Sequence, residues 1–319
     1  MSKWIFYFGL VGSLPASSIY WSSPTASPSS LGLDGVLSVN DSGIAVGSAG
    51  GQAAETSVTS PGVVLLGLPA LYSTATAING SGQIAGTYEN ASGDLYAFFW
   101  SASTGMAPLG TLGGTLSDSL SIDSAGQIVG QTLDGAGNLS AFLWSSGSGM
   151  SKIGDSISDM ATFITVTGQI AYQEDPFPYW NNYAAVGDVS SPSILDFGGA
   201  GSYISAMNNA GWIVGYTTDG DGFVSTPGGI INFGTAFLPK DINNADQVIG
   251  AYQGQPALWT ESGGFELLST GGFSDVSVMS INDEGQIVGN AAPVPEPSSL
   301  VLCLLGVLLL AAGWRGAVT

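Results

Sequence analysis

An all-β fold is predicted by this sequence, on three observations. A nine-residue stretch, Ile122 to Gly130 (I-D-S-A-G-Q-I-V-G), returns with drift along almost the whole chain. Ile78 to Gly86 reads I-N-G-S-G-Q-I-A-G, Ile281 to Gly289 reads I-N-D-E-G-Q-I-V-G, and Met207 to Gly215 and Ile242 to Gly250 are close variants. Each copy is an apolar residue, a polar Asn or Asp turn, and a short β-prone run closed by Gly. That is hairpin chemistry, because Asn, Asp and Gly tolerate the left-handed backbone of a tight turn. The second observation is composition: 48 Gly, with Ser and Thr also common, make a chain rich in turns and poor in helix formers. The third is the period. The closing glycines fall at 47, 86, 130, 215, 250 and 289, with Tyr172 in the equivalent place of a degenerate copy and Gly12 as a leading one, so the spacings run 35, 39, 44, 42, 43, 35 and 39. A strand-only repeat near forty residues has the period of propeller blades.

One well-formed unit sets out the strands in order. Asp118 to Ile122 is a short alternating strand, Ser124-Ala125-Gly126 turns it, and Gln127 to Leu133 runs back. After a Gly-rich loop, Leu139 to Ser145 is a third strand with Phe142 and Trp144 on one face, and Met150 to Ile153 is a short fourth. Four strands per repeat describe a propeller blade. The third strand recurs as Ala97-Phe98-Phe99-Trp100, Ala257-Leu258-Trp259 and Ser18-Ile19-Tyr20-Trp21. These aromatics are expected in the inter-blade core, where flat side chains bury much area; the competing reading is an exposed platform for sugar rings.

The phase of the repeat argues for closure. The segment after Ala16 supplies strands three and four, and the last copy, Val276 to Gly289, supplies strands one and two and then stops. Together they complete one blade, which gives about seven blades and removes an open edge; six or eight are the neighbouring counts left open. The domain expectation is therefore a signal peptide over 1–16, a β-propeller repeat domain over 17–290, a linker over 291–297 and a C-terminal membrane or sorting segment over 298–319. The signal rests on Lys3, the apolar run Trp4 to Val11, and small residues at Ala16 and Ser18 in the −3 and −1 cleavage positions. Its competitor is a drifted copy of the repeat at Gly9 to Gly12.

The tail departs from the repeat. Leu300 to Trp314 is apolar and uncharged, and Arg315 follows. As a helix, fifteen such residues span about 22 Å, short for a bilayer core of about 30 Å. With no polar face it is a poor partner for the β domain, so a transient or processed membrane segment is expected, marked by Leu300, Cys303, Leu305, Leu309, Trp314 and Arg315.

Charge and inventory exclude several functions. The formal charge is −20, and Lys3, Lys152, Lys240 and Arg315 are the only basic residues. Such a surface repels phosphate backbones, so no nucleic-acid partner is expected. There is no His and one Cys, Cys303. A Ser-His-Asp triad, a Cys-His pair, a His- or Cys-based zinc site and an intrachain disulfide are thereby ruled out.

Two resemblances follow from these residues. Val294-Pro295-Glu296-Pro297, the apolar run and Arg315 resemble the PEP-CTERM sorting signal of Gram-negative bacteria. The resemblance implies export and recognition of Pro295, Glu296 and Pro297 by a membrane protease-transpeptidase of the exosortase type. Leu109 to Gly114, the Ile-Asn-x-x-Gly-Gln-Ile-Val-Gly core and the Ala-Phe-Leu-Trp strand resemble the HAF-type extracellular repeat family. The His of that family's name is absent here, where Tyr96-Ala97-Phe98 and Ser140-Ala141-Phe142 stand, so no role of that His carries over.

Other chemistry is weaker. The most unusual local sequence is Glu174 to Tyr183, and Asp175, Phe177, Tyr179, Trp180 and Tyr183 mark a possible binding loop. Glu174, Asp175, Asp188 and Asp196 are the carboxylates available to a glycosidase. Asp219 to Gly222 and Asp241 to Asp246 offer oxygen ligands without an EF-hand pattern. No cofactor, metal site or catalytic residue is therefore assigned, although the acidic surface leaves room for loose Ca2+ association. The expectation is a non-catalytic exported protein of the cell envelope, outer surface or matrix, binding exopolysaccharide or a partner protein. An extracellular carbohydrate-active enzyme using paired Asp/Glu is the alternative, and a repeat array with only a spacing role is a third option.

Overall fold

The computed structural model describes residues 17–67, 70, 72–153, 160–165, 168–174, 183–188, 191–194 and 201–292. The repeat turn sets its local geometry. At Asn79 the turn is closed by Asn79 N donating to Gln83 O and Gly82 N donating to Asn79 O, both at 3.0 Å. Gly82 takes φ 74°, the left-handed region that glycine enters without steric cost. Asn79 Oδ1 accepts the N–H groups of Ser81 and Gln83, each at 3.0 Å. The side chain thus satisfies backbone donors that the turn leaves unpaired.

Among the described residues the strands form seven four-stranded antiparallel sheets. Six are consecutive meanders, spanning 35–65, 73–108, 113–153, 160–194, 202–234 and 237–267, here called the first to the sixth sheet. The seventh joins Ser274–Ile281 and Ile287–Ala292 from the end of the chain to Ser17–Trp21 and Ser29–Ser30 from its beginning. Ser17 lies opposite Ala291 and Trp21 opposite Ile287. The expected phase, with strands three and four supplied from the N-terminal side, is the one found.

The core lies between sheets. Ala85 and Ala97 of the second sheet, with Leu109 just after it, pack on Ile122, Ile128, Phe142 and Trp144 of the third. Ile249 and Leu258 of the sixth meet Ile281, Ile287 and Trp21 of the seventh. Tyr20 and Val288 of the seventh meet Val36, Val39 and Ala54 of the first, which closes the ring. The first strand of each sheet walls a central channel. This is a β-propeller, and Trp21, Phe98 and Phe142 are buried in its inter-sheet core.

The recurring Gly has a role beyond closing a strand. In all seven sheets the pairing of the first two strands slips by one residue, as between Ser119 and Ser121 or Val278 and Ser280. A β-bulge bends the inner strand there. The Gly faces that bulge: a Cβ on Gly130 would stand 2.0 Å from Asp118 O, and one on Gly215 would stand 1.9 Å from Tyr203 O. At these glycines a side chain would collide with the facing backbone oxygen. In the fourth sheet Tyr172 takes the equivalent register, opposite Ala161.

Some boundaries move. The inner strand of the third sheet runs Gly113–Ile122, five residues earlier than expected, because Gly113 pairs with Asp134 and Leu112 bridges to the same residue. The last strand runs to Ala292, and Ala291 is buried, so the repeat domain extends beyond 290 and these two alanines are not linker. The signal segment 1–16, the Pro-Glu-Pro motif and the apolar segment 298–319 lie outside the described residues, as do Asp175, Phe177, Tyr179 and Trp180. Among the described residues no helix is long and apolar enough to cross a membrane.

Candidate functional site

The mouth of the central channel is the place where all seven sheets converge. It opens a cavity of about 460 Å³ between the ends of the inner strands and the repeat turns. The same local geometry seven times over puts equivalent residues in a ring. The first turn residues are Asn40, Asn79, Asp123, Thr165, Asn208, Asn243 and Asn282.

These residues tie neighbouring sheets together. Asn282 Nδ2 donates to Asn40 O at 2.8 Å, Asn40 Nδ2 to Asn79 O at 3.0 Å, and Asn79 Nδ2 to Asp123 O at 2.8 Å. On the other side Asn208 Nδ2 donates to Asn243 O at 3.1 Å and Asn243 Nδ2 to Asn282 O at 2.9 Å. The amide therefore serves two ends: its oxygen holds its own turn and its nitrogen holds the next sheet. Asp123 keeps only the first of these, accepting from Ala125 N at 2.9 Å and Gln127 N at 2.7 Å. A carboxylate has no N–H to pass on. At Thr165 the hydroxyl oxygen accepts from Gln169 N at 3.1 Å.

The residues just outside repeat the device on the rim. Asp41 Oδ1 accepts Asp283 N at 2.9 Å, Asp283 Oδ1 accepts Asn244 N at 2.8 Å, and Asn244 Oδ1 accepts Asn209 N at 2.8 Å. Sequence reasoning took Asn and Asp here as turn formers and missed their bonds to the next sheet. The available signal was the preference for Asn where Asp would serve a turn equally well.

Two carboxylates sit between sheets. Asp241, on the channel wall, accepts Ile281 N of the seventh sheet and Ile242 N, each at 2.9 Å. Burial pushes its carboxyl up to about 6, against the opposing pull of those N–H groups, the Ser280 hydroxyl and the Lys240 charge. Ser121 holds the corresponding place in the third sheet and takes Ile164 N at 3.4 Å. Asp118 is half-buried against the second sheet, whose Thr87 Oγ1 donates to it, and Gln131 Nε2 of its own sheet lies at 3.5 Å. Burial raises its pKa, while those two hydrogen bonds pull it down. Each carboxylate is hydrogen-bonded to a neighbouring sheet.

Among the described residues the other sequence candidates are not brought together. Glu174 ends one strand of the fourth sheet opposite Tyr183, and Asp188 ends the next strand five residues later. Those backbones are about 17 Å apart at the usual rise per residue, beyond the roughly 5–9.5 Å of a glycosidase pair. Tyr183 opens that second strand, and Asp196 lies outside the described residues. Asp219 and Asp221 belong to a tight turn in which Thr217 N donates to Asp221 O at 2.8 Å. Among the described residues no group of three or more His, Cys, Asp or Glu is placed to hold a metal ion.

Known structures share the propeller. A protein described as TolB from Agrobacterium tumefaciens is similar over 89% of this chain and 100% of its own, with 12% identity and a TM-score of 0.52. A chain of a mitotic checkpoint complex is similar over 91% of this chain and 98% of its own, with 10% identity and a TM-score of 0.54. At such identities the likeness is one of fold. No protein-family model matches the sequence. No curated protein matches it either.

Proposed function

We propose that this chain is an exported, non-catalytic, seven-bladed propeller of the Gram-negative cell envelope, sorted by its PEP-CTERM-like tail and binding a partner protein or polysaccharide. One observation carries the proposal. Ser17 and Ala291 are paired neighbours, so residues 17 and 292 lie at the same end of one sheet. A leader and an anchor attached there leave the channel mouth and the loops of the other sheets free for a ligand. The similar chain of the mitotic checkpoint complex belongs, by that name, to a protein assembly, which supports a partner-binding role.

The strand also bears on processing. Ser18 is fully buried, and its Oγ both donates to Leu33 O and accepts from Leu33 N, each at 2.9 Å. A cut after Ser18 would remove two paired residues, whereas a cut at Ala16 leaves the strand whole. Cell fractionation with intact-mass analysis tests the proposal, on the native protein and on a Pro295→Ala, Pro297→Ala variant. The expected native form lacks roughly the first 16 residues of a signal and is processed at the tail, and the variant keeps its tail. A full-length cytoplasmic mass for both would overturn the reading.

A further inference from the structure

One inter-sheet junction departs from the pattern of the others. The residue before the recurring Gly is apolar in every sheet, and its partner on the third strand faces the next sheet. Those partners are Phe99, Leu143, Val186, Val224, Leu258 and Tyr20 in the second to seventh sheets, and Glu55 in the first. One residue further along the third strand, four sheets carry Trp: Trp21, Trp100, Trp144 and Trp259.

Three of those tryptophans are covered by the apolar residue of the preceding sheet. Phe99 stacks on Trp144 with ring centroids 5.7 Å apart. Val224 shares a core cluster with Trp259, and Leu258 shares one with Trp21. These three tryptophans are 8%, 6% and 0% exposed. At the fourth junction Glu55 stands where the cover should be. Trp100 is only partly buried, and a cavity of about 430 Å³ opens, walled by Trp100, Glu55, Gln83 and Ser101.

Glu55 is half-buried, and its side chain makes no hydrogen bond or ion pair among the described residues. Burial raises its pKa. This carboxylate, partly withdrawn from water, lacks a donor, and Trp100 lines the same cavity with an indole, the ring type that attracts cations most strongly. The formal charge of −20 draws cations and repels anions over longer range. A sugar would use the ring and the carboxylate but gain nothing from the field, whereas a cationic head uses all three. We propose that the Glu55–Trp100 pocket between the first and second sheets receives a lysine or arginine side chain of a partner protein.

The inference names the partner chemistry within the function proposed above and rests on it, but its test does not depend on export. The Trp100 indole N–H resonance, assigned with Trp100→Phe, is followed while N-acetyl-arginine amide and N-acetyl-lysine amide are titrated. N-acetyl-citrulline amide and glucose serve as neutral probes. The expected result is a saturable shift with a cationic probe, at least tenfold weaker with the neutral ones. Glu55→Gln should weaken the cationic response at least tenfold. Glu55→Leu, which restores the apolar cover, should abolish it, keep the fold and move Trp100 to a buried signature. Equal shifts with citrulline amide or glucose, or an unchanged response in Glu55→Gln, would overturn the proposal. A failed titration leaves the sorting experiment intact, and failed export leaves the titration intact.

Discussion

Replacing Asn243 by Asp isolates the bond between sheets from the turn it accompanies. The native Oδ1 accepts Ala245 N at 3.1 Å and Gln247 N at 2.9 Å, and a carboxylate can keep both, as Asp123 does. Nδ2 donates to Asn282 O at 2.9 Å and to Gln247 Oε1 at 2.8 Å, and both bonds are lost. Asn243 is 3% exposed, so water does not replace them. Losing the donor costs about 1–3 kcal/mol for the buried acceptor left behind, and a carboxylate oxygen against a carbonyl adds repulsion. The expected destabilisation at neutral pH is about 2–4 kcal/mol, or about 4–16 °C in Tm for a domain of this size. Urea and thermal unfolding, followed by tryptophan fluorescence and circular dichroism, measure it. The introduced carboxyl is favoured in its protonated form, so the cost should shrink as the pH falls. The reciprocal change, Asp123→Asn, supplies a donor toward the fourth sheet and should stabilise by up to about 1 kcal/mol. A loss below about 0.5 kcal/mol in Asn243→Asp at pH 7 would show that the ring of amides contributes nothing beyond its turns.

Three further predictions follow from the same geometry. Asp241 has a folded pKa raised from 3.8 to about 6, so the folded state holds that proton more tightly than the unfolded chain. The site is therefore least costly below about 4 and loses stability as the pH rises through 6, by an upper bound of about 3 kcal/mol. Asp241→Ser, which copies Ser121, should raise the Tm at pH 7.5, and the gain should shrink on titration to pH 4; a gain independent of pH would refute the assignment. Gly130→Ala should cost about 3 kcal/mol or more, because its Cβ would lie 2.0 Å from Asp118 O. Gly137→Ala, at φ 83° with open space around it, should cost only the left-handed backbone penalty of about 1–2 kcal/mol, and equal losses in an unfolding assay would remove the role assigned to the bulge. Deleting residues 17–30 should expose the edge of Ile287–Ala292 and leave the space of Trp21 unfilled, so the variant should aggregate, which light scattering would register; a stable monomer would contradict ring closure by that segment.

The repeat turn was legible because its chemistry is local. Asn79, Gly82 and Gln83 specify their hairpin through contacts within five residues, and the alternation of Phe142 and Trp144 marks a buried face wherever the strand lies. The phase of the first and last copies even placed Ser17–Trp21 beside Ile287–Ala292, because a strand with no partner is unstable. Other features had no local signature. Gly130 reads as a strand end in sequence, and only the bulge opposite it shows that a backbone oxygen occupies the space of a side chain. The length of the inner strand at Gly113 and the inclusion of Ala291 depend on pairing across the sheet, which spacing alone does not report. Glu174 and Asp188 are near in sequence, but antiparallel strands carry them to opposite ends of a sheet. Glu55 is one acid among 24 Asp and Glu in the chain, and it becomes distinctive only when seven registers are superposed and the apolar cover is found missing over Trp100. Sequence alone determined the repeat, its turns and its closure, since these rest on short-range backbone preferences. Tertiary structure decided which amides bridge sheets and which tryptophan stays open, since those depend on what the neighbouring sheet presents.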